Sequence, residues 1–257
     1  MLIGEPPRTK ADLNFVLLGI PVRIHPLFWI VSLVLGASAD SEPTFVAIWM
    51  IAVFLAILVH EFGHALVARS YGARPWITLY GMGGLASFNP VRRDTASSIA
   101  ITIAGPAAGF LFAALIFALL HATGQSVSFH RGGAFGVYWD FVPFERIELN
   151  KFIEFLLFIN VIWGVINLFP VYPLDGGQIA RELFVQADTY GGIRKSLWLS
   201  IITAAGIGLF GYVRLGNFFM ALMFGYLAYQ NYLVLQSYGG GGYGGGFGGG
   251  YDGRNPW

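Results

Sequence analysis

The sequence predicts an all-α polytopic membrane protein: about six transmembrane helices, with a small membrane-associated β-hairpin or looped strand between the second and third. Three observations predict it. Hydrophobic residues fill 56% of the 257 positions against 11% charged, and the mean hydropathy of +0.63 is far more apolar than a soluble domain of this length carries. The apolar residues gather into runs of near-membrane length. The few cations then sit preferentially on one side of those runs.

Taken in order, residues 1–25 form an N-terminal cytoplasmic or interfacial segment. Its opening, MLIGEPPRTKADLNF, lacks the charged, apolar and small-residue zones of a cleaved signal peptide, so it is expected to stay in the mature protein. A core over 26–236 follows. Its expected spans are 26–39, short unless the preceding LLGIPVRIH also enters the membrane, then 44–71, 97–121, 152–169, 197–213 and 218–235. Between the second and third lies PWITLYGMGGLASFNP, whose β-branched and aromatic residues around a glycine cluster, with a proline at each end, signal a hairpin. The remaining 237–257 is a glycine-rich tail that buries too little side chain to offset ordering its backbone, and it is expected to be disordered.

With a cytoplasmic N-terminus, only Arg131, Arg146, Lys151 and Arg214 of the fifteen Lys and Arg residues fall outside. That asymmetry predicts both termini in the cytoplasm. The net charge of +1 creates no basic field for nucleic acid. The absence of cysteine excludes disulfides and thiolate ligands, so a metal site has to use His, Asp, Glu or backbone oxygen.

Within the second span stands HEFGH. His60 and His64, four residues apart, share one helix face and can grip a single ion, while Glu61 sits beside the metal's water as a base rather than as a ligand. Each ionisable group at the middle of a membrane helix costs about 2.5–3.5 kcal/mol on insertion scales, which points to function. The other reading is a hydrogen-bonded polar cluster between helices.

A catalytic zinc takes three protein ligands and keeps one position open. The candidates for the third are Asp94, Glu154, Asp175 and Glu182. Asp175 stands apart through its context, NLFPVYPLDGG: Pro170 and Pro173 break helical geometry at membrane depth, which is tolerated where the backbone packs on protein or lines a wet cavity. The aspartate is then expected to come from a non-helical segment. The other reading is an N-cap of a short helix beginning DGGQIAREL; beside HEFGH the ligand reading is favoured.

HEFGH in an apolar helix, followed by N-x-x-P-x-x-P-L-D-G-G, resembles the site-2 protease family of intramembrane zinc metalloproteases. GIPVRIHP at 19–26, GGLASF at 83–88 and IAGPAAGF at 103–110 are similar to recurring segments of that family, although this chain has Gly109 where the family often carries Asn or another small residue. The resemblance implies one zinc ion held by His60, His64 and Asp175, with Glu61 as catalytic acid and base. It implies that Asn167 lies near the reacting carbonyl, donating to the oxyanion or else satisfying backbone freed by the prolines. It further implies single-span membrane proteins as substrates, a metalloendopeptidase activity in a prokaryotic cell membrane and, with no room for a PDZ-like or CBS-like domain, possible control by another membrane protein.

A substrate helix has to be unwound before its carbonyls can react. The hairpin offers a strand edge for the opened peptide, with Gly83, Gly84 and Leu85 as substrate-binding residues; the alternative is a hairpin that only seals the bundle. Gly63, and Gly105 with Gly109, are read as close helix-packing positions. His25, His121 and His130 are not expected to bind metal. The competing function class is a metal-ion or proton-coupled transporter built on the same His and Asp residues.

Overall fold

The computed structural model describes residues 5–39, 42–89, 94–125, 127–131, 137–141 and 144–239. The chain begins with two strands, β1 (Leu13–Leu17) and β2 (Ile20–Ile24), joined at Leu18 and Gly19, both with positive φ. A two-residue turn of that hand matches the twist of an antiparallel pair. A short helix α1 (Pro26–Ala39) leads to the 28-residue α2 (Pro43–Ser70). Strands β3 (Pro75–Tyr80) and β4 (Gly83–Phe88) follow, then a second 28-residue helix, α3 (Thr95–Ala122).

A hairpin of β5 (Val127–Arg131) and β6 (Val137–Phe141) leads into α4 (Ile147–Phe158). That helix continues through a π-helical turn at Ile159–Trp163 into the single turn α5 (Gly164–Asn167). Three helices complete the chain: α6 (Asp175–Ala187), α7 (Gly192–Leu215) and α8 (Phe218–Gly239).

Among the described residues, five helical stretches are long and apolar enough to cross a membrane: α2, α3, the run Ile147–Asn167, α7 and the greater part of α8. The protein is an integral membrane protein. The first of the six expected spans is a 14-residue helix, because the residues before it belong to β2 and cannot lengthen it. The glycine-rich tail from 240 onward lies outside the described residues.

The expected hairpin is present as β3 and β4, antiparallel with Ile77 opposite Ala86 and Leu79 opposite Gly84. It is half of a four-stranded sheet in the order β1-β2-β3-β4, where β2 runs parallel to β3 and β4 is an edge. The N-terminal strands were not anticipated. Every residue of β1 is exposed, so no in-out alternation marks it, and β2 finds its second partner some fifty residues away. Buried Arg23 fastens the preceding segment to the sheet: its guanidinium donates to Glu5 Oε1 (3.1 Å), the Pro6 carbonyl (2.8 Å) and Asp12 Oδ2 (3.1 Å), while Glu5 Oε1 also accepts from Thr78 Oγ1 at 2.7 Å. Arg69, in the last turn of α2, donates to the Leu18 carbonyl at 2.7 Å and ties the first turn to the end of that helix.

The centre of the molecule is the crossing of α2 and α3. It is close because Gly63 has no side chain: a Cβ there would overlap the Ala104 carbonyl and the Ala108 methyl. At the other end of the chain α7 and α8 pack antiparallel across a left-handed Gly216, with Gly211 against Met220. Asn217 Oδ1 accepts the Met220 amide at 2.9 Å and so caps the start of α8.

Candidate metal centre

His60, Glu61 and His64 lie on the buried face of α2, exposed to only 9%, 5% and 8%. The four-residue spacing stacks the two imidazoles edge to face, ring centroids 4.8 Å apart, with their Nε2 atoms 3.1 Å from each other. Nδ1 of His64 is 2.8 Å from the Ile101 carbonyl on α3. A carbonyl only accepts, so Nδ1 is the protonated nitrogen of the neutral ring and Nε2 is left as a lone pair. Gly105, one turn further along α3, supplies the space: a Cβ there would overlap the His64 ring.

Asp175 completes the group. Its Oδ2 is 3.1 Å from His60 Nε2 and its Oδ1 3.5 Å from His64 Nε2. One ligand atom from each of the three residues lies within 4.8 Å of the others, compact enough for a single ion. Although so near His60, Oδ2 makes no hydrogen bond of acceptable geometry, a buried acceptor left without a donor among the described residues. Nitrogen lone pairs and an orphaned carboxylate oxygen converging on one point fit a divalent cation, and the N,N,O donor set is one that zinc accepts.

Asp175 is the first residue of α6 rather than part of the irregular loop, and its side chain does not cap the helix; the preceding Leu174 is the cap residue. The loop between α5 and α6 folds back tightly on the first turn of α6. A Cβ on Gly176 would overlap the carbonyls of Leu168 and Phe169, and one on Gly177 would overlap Val171 and the Tyr172 amide. The two glycines of DGG therefore let the broken segment pack flush beneath the aspartate. The other three candidate carboxylates act elsewhere or lie apart: Asp94 accepts the Ser97 amide as the α3 N-cap, Glu154 pairs with Lys151, and Glu182 is outside the cluster.

The Glu61 side chain reaches β4, where its carboxylate accepts the Ala86 backbone amide and its atoms fill the place that a Gly84 side chain would take. Gly84 is thus the clearance for Glu61. Gly83 has a φ of +117° and opens onto free space, and Leu85 is half-buried on the same edge strand. Asn167 is buried at the end of α5 and makes no hydrogen bond or ion pair with the four polar residues of the site among the described contacts. His25 is engaged in the β2–α1 corner, where its Nδ1 accepts the Leu27 amide at 3.2 Å.

Asn160 escaped the sequence reading. It sits in the π-helical turn, 4% exposed, donates to the Leu156 carbonyl at 2.8 Å and turns its Oδ1 toward Gly109. Together with His60, Gly109, Ala56 and Trp163 it lines a small cavity with room for about one water molecule. A π-helical turn inside an apolar helix is the kind of irregularity found near functional sites, but sequence periodicity does not mark it.

The description "Peptidase family M50" matches residues 48–209, more than half of the chain. A zinc metalloprotease of Methanocaldococcus jannaschii is 26% identical over 227 residues, an alignment covering 87% of this chain and 56% of that protein. Stage IV sporulation protein FB of Bacillus subtilis is 26% identical over 167 residues, covering 64% of this chain and 48% of that one. The chain spans about half the length of these relatives. Its fold is similar to that of the site-2 protease from Methanocaldococcus jannaschii, with a TM-score of 0.58 at 21% identity, covering 87% of this chain and 95% of the other.

Proposed function

Because the chain belongs to peptidase family M50, the site-2 proteases, we propose that it is a zinc-dependent intramembrane endopeptidase that hydrolyses peptide bonds of membrane-spanning proteins. One observation carries the reading: His60, His64 and Asp175 bring three ligand atoms to one buried point, with Glu61 beside them on the same helix. One zinc ion held there would polarise the scissile carbonyl and make a water acidic enough to lose its proton near pH 7.

The protein's own residues supply the rest. The Glu61 carboxylate takes the proton from the attacking water and delivers it to the leaving nitrogen, the alternation that amide cleavage requires. The Asn167 carboxamide, buried where α5 meets the broken loop, is assigned as hydrogen-bond donor to the developing oxyanion. An extended substrate pairs with the edge strand β4 at Gly83, Gly84 and Leu85, adjoining Glu61. His60 stands roughly 25 Å along α2 from Pro43, nearer the Arg69 end; the cation asymmetry supports a cytoplasmic assignment for that end and for both termini. The assigned setting is a prokaryotic cell membrane, with single-span proteins as substrates and a second membrane protein as regulator.

The test compares the intact chain with Glu61→Gln, each reconstituted with single-span substrates. The proposal expects new fragments from the intact chain alone, with zinc retained by both. Zinc flux into liposomes without any cleavage would overturn it in favour of a transporter.

A further inference from the structure

A buried carboxamide in an apolar helix calls for explanation. Asn231 is in the middle of α8, 2% exposed, and its Oδ1 has no hydrogen-bond partner among the described residues. Placing a polar amide in an apolar helix is costly, which directs attention to what its other half bonds. Its Nδ2 donates to two carbonyls: Leu227, one turn back on its own helix, at 2.8 Å, and Tyr172 in the loop before α6, at 2.6 Å.

Tyr172 is also held from its other side. Its amide donates to Ser200 Oγ at 3.0 Å, and the hydroxyl of Ser200, 1% exposed on α7, donates in turn to the Ser196 carbonyl at 2.9 Å. Both backbone polar groups of one loop residue are therefore satisfied by side chains from two different membrane helices. Pro170 and Pro173 have no amide to offer, and the Phe169, Val171 and Leu174 amides bond within the segment, to the carbonyls of Ile166, Phe169 and Val171, so Tyr172 is the loop residue whose amide and carbonyl are both tied to other helices. Tyr172 is three residues before Asp175, and Gly177, in the same helical turn as Asp175, packs directly on the Tyr172 amide.

We infer that Ser200 and Asn231 are positioning residues for the metal centre: by fixing Tyr172 at both its amide and its carbonyl, they set where Asp175 meets His60 and His64. The inference rests on the zinc-site reading proposed above. It gives α7 and α8, which contribute no ligand, a definite part in building the site. The plain alternative is that both side chains only join the last two helices to the bundle.

The experiment measures zinc affinity of the purified full chain in detergent by competition with a chromophoric chelator, alongside thermal unfolding and the visible spectrum of the cobalt-substituted protein. Asn231→Leu and Ser200→Ala are each expected to weaken zinc binding by up to roughly 10-fold, the lower end of what losing a partner bonded directly to a metal ligand costs, because they act through Tyr172, and to alter the cobalt bands. Asn217→Ala is the comparator: it removes the α8 cap without touching Tyr172, so it should lower the melting temperature and leave zinc affinity unchanged. Should Asn231→Leu fail to fold, Asn231→Ala, which also removes the donor, and Ser200→Ala decide the matter.

Unchanged zinc affinity in both Asn231 and Ser200 variants, or an equal loss in Asn217→Ala, would overturn the positioning role while leaving the zinc site intact. An intact chain that binds no zinc would instead overturn the metal-centre reading, and this inference with it.

Discussion

The Ile101 carbonyl on α3 accepts Nδ1–H of His64 on α2 at 2.8 Å, and this single bond decides which nitrogen of the ring faces the rest of the site. With the proton committed to Ile101, Nε2 presents a lone pair 3.1 Å from His60 Nε2 and 3.5 Å from Asp175 Oδ1. Metal-binding histidines are commonly oriented in this way, with the distal N–H bonded to a carbonyl. Gly105, in the next turn of the same helix, gives the ring its space, so α3 both aims and accommodates a ligand that α2 carries.

That dual role of α3 makes Gly105→Ala a sharp probe. The added methyl overlaps the His64 ring, and the ring has little freedom to yield because Ile101 holds its other edge. Overpacking of this kind costs about 1–3 kcal/mol. The expected outcome is a lower melting temperature together with a clear loss of zinc affinity, read by unfolding and chelator competition. Unchanged zinc binding would show that the ring position is not set by α3.

Glu61→Gln separates chemistry from binding. Gln keeps the size of the side chain and its place against Gly84, but it cannot take a proton from water. Cleavage is expected to fall by at least the factor of about 10²–10⁴ typical of general-base loss, with zinc content unchanged. The pair of measurements is turnover of a purified single-span substrate and metal content per chain. A variant that still cleaves would remove Glu61 from the proposed chemistry.

A pH effect is expected far from the site, at the junction of α6 and α7. Asp188 Oδ1 accepts the Gly191 amide at 2.8 Å and Oδ2 pairs with Lys195 Nζ at 2.9 Å. The Gly191 hydrogen bond first, and then Lys195, hold its carboxyl below the usual 3.8. A lowered folded pKa contributes stability that is present above the unfolded value and is lost as pH falls through the folded one. Asp188→Asn should therefore melt earlier than the intact chain at pH 6–7, and the difference should shrink below about pH 4. A gap that persists unchanged in acid would assign the effect to something other than this charge.

The candidate site was legible where spacing alone carries geometry. His60, Glu61 and His64 needed only the helical repeat, and Asp175 was marked by the prolines and glycines around it. Its exact origin was not legible. Whether the carboxylate starts a helix or hangs from the loop depends on how closely the 168–172 backbone packs on Gly176 and Gly177, a tertiary matter. The long spans were readable from their apolar length, whereas β1 and β2 were not, since one is exposed throughout and the other pairs in parallel with a distant strand. Ser200, Asn231 and Asn160 were hidden for a related reason: a single polar residue in an apolar helix has no periodicity to reveal what it faces.

The central claim is that two imidazoles of α2 and the carboxylate opening α6 share one zinc ion. X-ray absorption at the zinc edge of the purified, zinc-loaded chain tests it most directly, with Asp175→Ala measured beside it. The account predicts about one zinc per chain, scattering from two imidazoles with Zn–N near 2.0–2.1 Å plus oxygen, and loss of affinity without loss of the imidazole signal in Asp175→Ala. A spectrum without imidazole scattering, or one that Asp175→Ala leaves unaltered at undiminished affinity, would contradict it.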